Sequence, residues 1–231
     1  MKRSRIGALS MIVLLSSGSG LAAQAAISGA GRLELDSPAG LEPINAHLEP
    51  VMYRGRAALR LVANDGAEGQ GLAMALVPGL DFGAGTIEVD VAGAPLLDAP
   101  EGARGFIGLA FHVQPHAARF KMFYLRPTNG RSDDQLRRNH SVQYVAEPDY
   151  PWDRLRKEEP GVYESYADIE PGVWTRVRIV VTVRRAMLYV NEAPQPSLII
   201  NDLKLEDQSG KVALWIGPGT DGYFSRLRWS P

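Results

Sequence analysis

Cysteine is absent from the 231-residue chain, so no disulfide can staple the fold and no lipid-modified N-terminal cysteine can anchor it. Stability has to come from buried apolar surface. Histidine is scarce, and His47, His112, His116 and His140 show no metal-ligand spacing. No Asp/Asn run matches a calcium loop. A structural calcium on loop carbonyls leaves no sequence trace, so no cofactor is expected beyond such an ion. The Gly-x-Ser-x-Gly elbow of serine hydrolases and the glycine loops that cradle phosphates are both missing. Excess positive charge is missing too, with 25 Lys+Arg against 26 Asp+Glu, which argues against a general nucleic-acid binder.

What is present begins with Met1-Lys2-Arg3-Ser4-Arg5, an apolar run from Ile6 to Leu15, and small residues ending Ala23-Gln24-Ala25-Ala26. A basic start, a short apolar stretch and an A-x-A site predict a cleaved signal peptide over residues 1–25 and a periplasmic or secreted protein. The apolar run falls short of the roughly 20 residues a membrane span needs, and no later run is longer. No membrane span is therefore expected after cleavage. Loss of Lys2, Arg3 and Arg5 leaves 22 Lys+Arg against 26 Asp+Glu, a net charge of −4. Residues 26–231 suit one β-sandwich of ordinary size, with no linker to divide them.

Period-two stretches bounded by Gly, Pro, Asn and Asp recur along the chain, and sustained 3.6-residue periodicity is nearly absent. In Trp174 to Val183, Val177, Ile179, Val181 and Val183 share one face, with Arg176, Arg178 and Thr182 on the other. Met187 to Asn191 follows a turn and completes a hairpin. Further strands are expected over 58–62, 71–76, 86–91, 106–113, 119–125, 142–146, 211–216 and 223–229. So many strands in one domain imply an all-β fold, a two-sheet antiparallel β-sandwich or a barrel. Two irregular stretches interrupt the rhythm, Pro127 to Asn139 and Glu147 to Gly172, and loops of that length often carry function.

Several stretches, in order, resemble the concanavalin A-like lectin/glucanase superfamily, including its laminin-G-like domains and the 3-keto-disaccharide hydrolase-like domains labelled family 16-like. They are Gly85 to Val91, Gly105 to Phe111, Trp174 to Ile179, Ala186 to Asn191, Gly210 to Gly217 and Tyr223 to Leu227. The resemblance implies a jelly roll whose concave sheet holds sugars. It does not imply one activity. Glycosidases of this superfamily carry E-x-D-x-E on one strand; here Glu88 and Asp90 fill the first two places and Ala92 the third. With one acid missing, paired-carboxylate hydrolysis is disfavoured, and Glu88 and Asp90 are expected on the solvent side of their strand.

Candidate site residues follow from parity. Ile107, Leu109, Phe111 and Val113 are expected in the core. Phe106, Gly108, Ala110, His112 and Gln114 are expected on the opposite face, where small residues let a ligand approach the backbone. Tyr124 and Arg126 share a parity on the next strand and are expected beside them on the surface. Asn129, Arg131, His140, Gln143, Tyr144, Trp152 and Tyr163 add polar and aromatic groups suited to sugar hydroxyls and C–H faces. The cations Arg126, Arg131, Arg137, Arg138, Arg154, Arg156 and Lys157 crowd the same segments and suit an anionic sugar such as a uronate. A carbohydrate-binding role needs only this face. A polysaccharide lyase needs a base, Tyr124 or His112, and donors to the developing charge, Arg126, Gln114 or Asn129. Cleavage through a keto-sugar is implied by the resemblance alone. Binding and catalysis both stand at this point.

Overall fold

Alternation along the chain becomes sheet structure wherever one face of a strand finds an apolar partner. The computed structural model describes residues 29–64, 66 and 72–231. The expected signal peptide and the expected domain start at Ala26 lie outside the described residues, as does Gly71. The strands are β1 (Gly31–Leu33), β2 (Glu42–Ile44), β3 (Ala46–Tyr53), β4 (Arg56–Ala63), β5 (Ala73–Phe82), β6 (Gly85–Pro95), β7 (Ile107–Val113) and β8 (Phe120–Leu125). After helix α1 (Gln135–Arg138) come β9 (Val142–Glu147), helix α2 (Trp152–Glu158), β10 (Glu164–Ser165), β11 (Thr175–Val181), β12 (Ala186–Val190), β13 (Leu198–Ile200), β14 (Gly210–Ile216) and β15 (Thr220–Ser230). No helix of the described residues is long and apolar enough to cross a membrane.

All pairings are antiparallel and form two sheets. One runs β13-β12-β11-β6-β15-β4-β3, with β1 also on β15; the other runs β10-β9-β8-β7-β14-β5-β2. Val177, Ile179 and Val181 of β11, with Ile87, Val89 and Val91 of β6, are buried against Ile107, Leu109, Phe111, Phe123 and Leu214 of the other sheet. Close contact fixes which face looks inward: a Cβ built on Gly93 would lie 2.8 Å from Ile107 Cγ2, and one on Gly222 would lie 3.4 Å from Ile107 Cδ1. Gly108 and Ala110 of β7 therefore lie on the face away from Ile107.

Three expectations need correction here. Val183 is exposed, because β11 ends at Val181 and Thr182 turns back to bond Arg185. Asp90 lies on the outer face as its parity requires, yet it is buried, because Arg56, Arg176 and Arg226 all converge on its carboxylate. The two long irregular stretches contain α1, α2 and β10. Asp134 starts α1 by accepting bonds from the amides of Leu136 and Arg137, at 2.9 and 3.2 Å.

Candidate functional site

The site grows from one row of cross-strand neighbours. Glu164 of β10 pairs with Gln143 of β9, Gln143 with Tyr124 of β8, Tyr124 with Gly108 of β7, and Gly108 with Trp215 of β14. Directly opposed residues share a face, so this row lies on the outer face of the seven-stranded sheet. Gly108 is the necessary gap in it. A Cβ there would sit 2.7 Å from Tyr124 Cα and closer still to the Phe123 carbonyl oxygen. The space taken for ligand approach is filled by the Tyr124 strand itself, and Gly108 serves close strand contact.

Arg126 follows β8 at the same parity as Tyr124, and its guanidinium turns back over the row. It donates to the Tyr124 hydroxyl at 2.7 Å, to Gln143 Oε1 from both terminal nitrogens at 3.2 Å, and to the His140 carbonyl at 3.1 Å. Every one of these acceptors is neutral. The expected surface arginine is thus a buried one, 6% exposed, because this acceptor set replaces its water. Burial, and the nearby Arg156 and Arg104, pull its pKa below the usual arginine value.

Above this floor lies a cavity of about 450 Å³ whose walls include Arg104, Phe106, Tyr124, Arg126, Arg137 and Trp152. Asn129 and His140 also border it. Phe106 meets Tyr124 edge-on at 6.2 Å, Trp215 lies 5.3 Å from Tyr124 on the other side, and the half-exposed Trp152 stands at the rim with Arg156 over its ring at 4.9 Å. Arg104 donates to the carbonyls of Glu101 and Ala103, and Arg137 to Asn129 Oδ1. Among the described residues Arg104, Arg126 and Arg137 therefore bond only neutral acceptors. Burial and repulsion from Arg137 also lower the pKa of Arg104.

Arg156 is the cation here that has its own carboxylate: it grips Glu164 at 2.6–3.1 Å. Glu164 is buried, and its Oε1 lies 3.1 Å from His140 Nε2, an ion-pair distance. The carboxylate charge so close favours the tautomer with the hydrogen on Nε2 and the lone pair on Nδ1. Nδ1 has no protein partner among the described residues. Burial, outweighing the pull of Glu164, lowers the His140 pKa and keeps the ring neutral near pH 7. Burial pushes the Tyr124 phenol up to about 12, so it stays protonated, and its own hydrogen has no protein acceptor among the described residues.

The structure thus gathers Tyr124, Arg126, Asn129, His140 and Trp152 into one cavity, with Gln143 directly beneath as the acceptor that holds Arg126. It separates the others. Tyr144 and Tyr163 lie at the core side of β9, where Tyr144 accepts from the Lys204 amide at 3.1 Å and Tyr163 donates to Asp202 at 2.6 Å. Arg131 is spent outside on Asp168 and Glu170. Gln114 ties the His112 and Ser209 carbonyls at 3.0 and 2.8 Å. His112 leaves the face because β7 bulges: β14 pairs Ala213 with Ala110 but Lys211 with Val113, and His112 takes a φ of +53°. His112 and Tyr124 therefore do not make a shared catalytic site. Arg104, Glu164 and Trp215 were missed. Arg104 sits in a loop, β10 is two residues long, and the parity that places Trp215 becomes legible only once β14 is known to neighbour β7.

His112 instead belongs to a buried polar knot. Its Nε2–H donates to the Gly83 carbonyl at 2.7 Å, and its Nδ1 lies 3.1 Å from the ammonium of Lys121, which also donates to the Asp207 carbonyl. Burial drives Lys121 down to about 8, with Arg119 adding to it and Asp207 opposing. Between pH 8 and its ordinary value of 10.5 the unfolded chain holds this proton and the folded one has released it, so stability rises with pH across that window. Lys121→Met is expected to abolish that rise and to stabilise the protein at pH 7 by about 1 kcal/mol, read from denaturant unfolding of both proteins across the pH range. Parallel pH profiles for the two would contradict the assignment.

No protein-family model matches the sequence, and no curated protein matches it. Solved structures do match its shape. The carbohydrate-binding module CBM66 from Bacillus subtilis aligns over 83% of this chain and 96% of its own at 12% identity, with a TM-score of 0.57. A protein of unknown function with a galectin-like fold, also from Bacillus subtilis, covers 87% and 96% at 11% identity and a TM-score of 0.54. The β-glucanase of Bacillus licheniformis covers 89% and 99% at 10% identity and a TM-score of 0.53. The fold is a concanavalin A-like jelly roll. On β6, Asp90 is held by three arginines, Glu88 lies 3.8 Å from Arg178, and the third position is Ala92, buried opposite Tyr223. Asp134 on the cavity wall caps α1, and behind the wall Glu164 is held by Arg156 with His140 3.1 Å away, so among the described residues the cavity has no pair of free carboxyls for glycoside hydrolysis.

Proposed function

We propose that this jelly roll is an exported carbohydrate-binding protein that takes an acidic sugar in the cavity over Tyr124 and Arg126. One observation carries the reading: Arg104, Arg126 and Arg137 line an aromatic-walled cavity whose carboxylate, Asp134, caps α1, and among the described residues none of the three guanidiniums is ion-paired. A uronate supplies what this arrangement lacks. Its carboxylate offsets the mutual repulsion of the guanidiniums and accepts charge-assisted hydrogen bonds from them. Its ring C–H faces pack on Phe106, Tyr124 and, for a neighbouring sugar unit, Trp152. The basic start and A-x-A site of the N-terminal segment support a periplasmic or secreted location, where such polymers are met. The carbohydrate-binding module and the β-glucanase named above share this fold, which supports a sugar ligand without specifying it.

Calorimetric titration of a galacturonate trisaccharide against its methyl ester tests the reading. The acid is expected to bind at least roughly tenfold more tightly, with the gap narrowing as salt is raised. Equal affinities, or binding to neither, would overturn the acidic-sugar assignment.

A further inference from the structure

We infer that the cavity also cleaves the acidic sugar it binds, by β-elimination, with His140 Nδ1 as the base and the Tyr124 hydroxyl as the acid. The inference rests on the binding reading above and adds a reaction to it. Elimination from a uronate needs three things: a neutral base near the hydrogen α to the carboxylate, cations to stabilise the carbanion-like charge spreading into that carboxylate, and an acid for the leaving oxygen. No metal and no second carboxyl enters this chemistry.

Each part is present in one enclosure. His140 is poised as a base through its other nitrogen, because Nε2 faces the buried Glu164 carboxylate at 3.1 Å, whose charge favours the hydrogen on Nε2, and Glu164 is itself locked by Arg156. Arg126 joins base to acid: its guanidinium donates to the backbone carbonyl of His140 at 3.1 Å and to the Tyr124 hydroxyl at 2.7 Å. Its Nε–H, with the outer N–H groups of Arg104 and Arg137, is left for the substrate carboxylate. The Tyr124 oxygen receives from Arg126, so its own hydrogen is the one available to a ligand. The phenol and the imidazole thus present a donor and an acceptor to the same cavity.

The step balances without a co-reactant. Nδ1 of His140 takes the proton from C5, and the C5–H electron pair becomes the C4–C5 double bond. The C4–O bond breaks, and the departing glycosidic oxygen takes the Tyr124 proton. The imidazolium returns its proton to the phenolate through solvent. The products are an unsaturated uronate and a sugar with a new hydroxyl.

The groups facing His140 are Glu164 from β10, Arg156 from α2, Arg126 from the end of β8 and Asp134 at the start of α1. The base form dominates at neutral pH, so the rate is expected to fall as pH drops below the ordinary histidine value of 6.5.

The experiment follows ultraviolet absorbance of the conjugated product when full-length mature protein meets polygalacturonate, alginate and glucuronan, with binding measured in parallel. For wild type a steady rise is expected on one of them. His140→Ala is expected to lose about 10²–10⁴-fold in rate while its affinity changes less than about threefold. Tyr124→Phe keeps the base and should still exchange the C5 proton for deuterium in heavy water, with product formation slowed. Binding without absorbance on any polymer would overturn the elimination and leave the binding reading intact. Absence of binding would overturn both. A His140→Ala protein that still eliminates would remove His140 as the base.

Discussion

Replacing Arg104 and Arg137 together by glutamine is expected to weaken binding of an acidic oligosaccharide by about 10²–10⁴-fold, on the basis of roughly 1.5–3 kcal/mol for each charge-assisted hydrogen bond lost. Folding stability should fall by no more than about 1 kcal/mol, the scale of one neutral hydrogen bond. The two effects separate because neither guanidinium is ion-paired among the described residues. Among the described residues the Arg104 side chain bonds only the Glu101 and Ala103 carbonyls, and the Arg137 side chain only Asn129 Oδ1. Arg104 is repelled by Arg137, so removing the charges relieves a repulsion while it removes the ligand's partners. Calorimetry with a galacturonate trisaccharide and denaturant unfolding of the same samples read both quantities. A variant that loses stability in proportion to affinity would mean that the arginines hold the loops together and do not serve a ligand.

Gly108→Val is expected to cost about 4 kcal/mol or more, a large share of the roughly 5–15 kcal/mol that holds an ordinary domain folded. The obstruction is backbone: the new Cβ would stand 2.7 Å from Tyr124 Cα, so β7 and β8 must part along their hydrogen-bonded length. A side chain could rotate away, but the paired strand cannot. Gly102→Ala, where a Cβ meets nothing within 4 Å, is the matched control and should unfold at the wild-type midpoint. Equal midpoints for both variants would show that the β7–β8 contact is looser than the described geometry.

Much of this architecture is legible in the sequence because a strand writes its burial every second residue. Val177, Ile179 and Val181 show it, as do Ile107, Leu109 and Phe111. That pattern implied a sandwich or a barrel, and the superfamily resemblance pointed to the two-sheet jelly roll. Legibility fails where the period is interrupted. The bulge between Ala110 and Val113 moves His112 out of line with Tyr124, and a bulge adds a residue without altering composition. β3 escapes notice because Pro50 and charged residues blunt its alternation at the sheet edge. Helix α2 spans only Trp152–Glu158 and lies between Pro151 and Pro160, too short for a 3.6-residue period to declare itself.

The site was half legible for a related reason. Tyr124 and Arg126 share a strand parity, and the cationic excess around residues 126–157 is visible in the letters. What the letters omit is which cations keep a carboxylate. Arg131 and Arg154 are paired on the surface and Arg156 is paired within, while Arg126 and Arg137 are not, and that division depends on three-dimensional neighbours.

The most direct test of the central claim is a nuclear magnetic resonance titration of the mature protein with a galacturonate trisaccharide, following aromatic and arginine side-chain signals. Saturable shifts confined to the cavity residues Arg104, Phe106, Tyr124, Arg126, Arg137, His140 and Trp152 are the expected result. Shifts centred instead on Tyr53, Trp174 and Tyr223 of the opposite sheet, or no shifts at all, would contradict it.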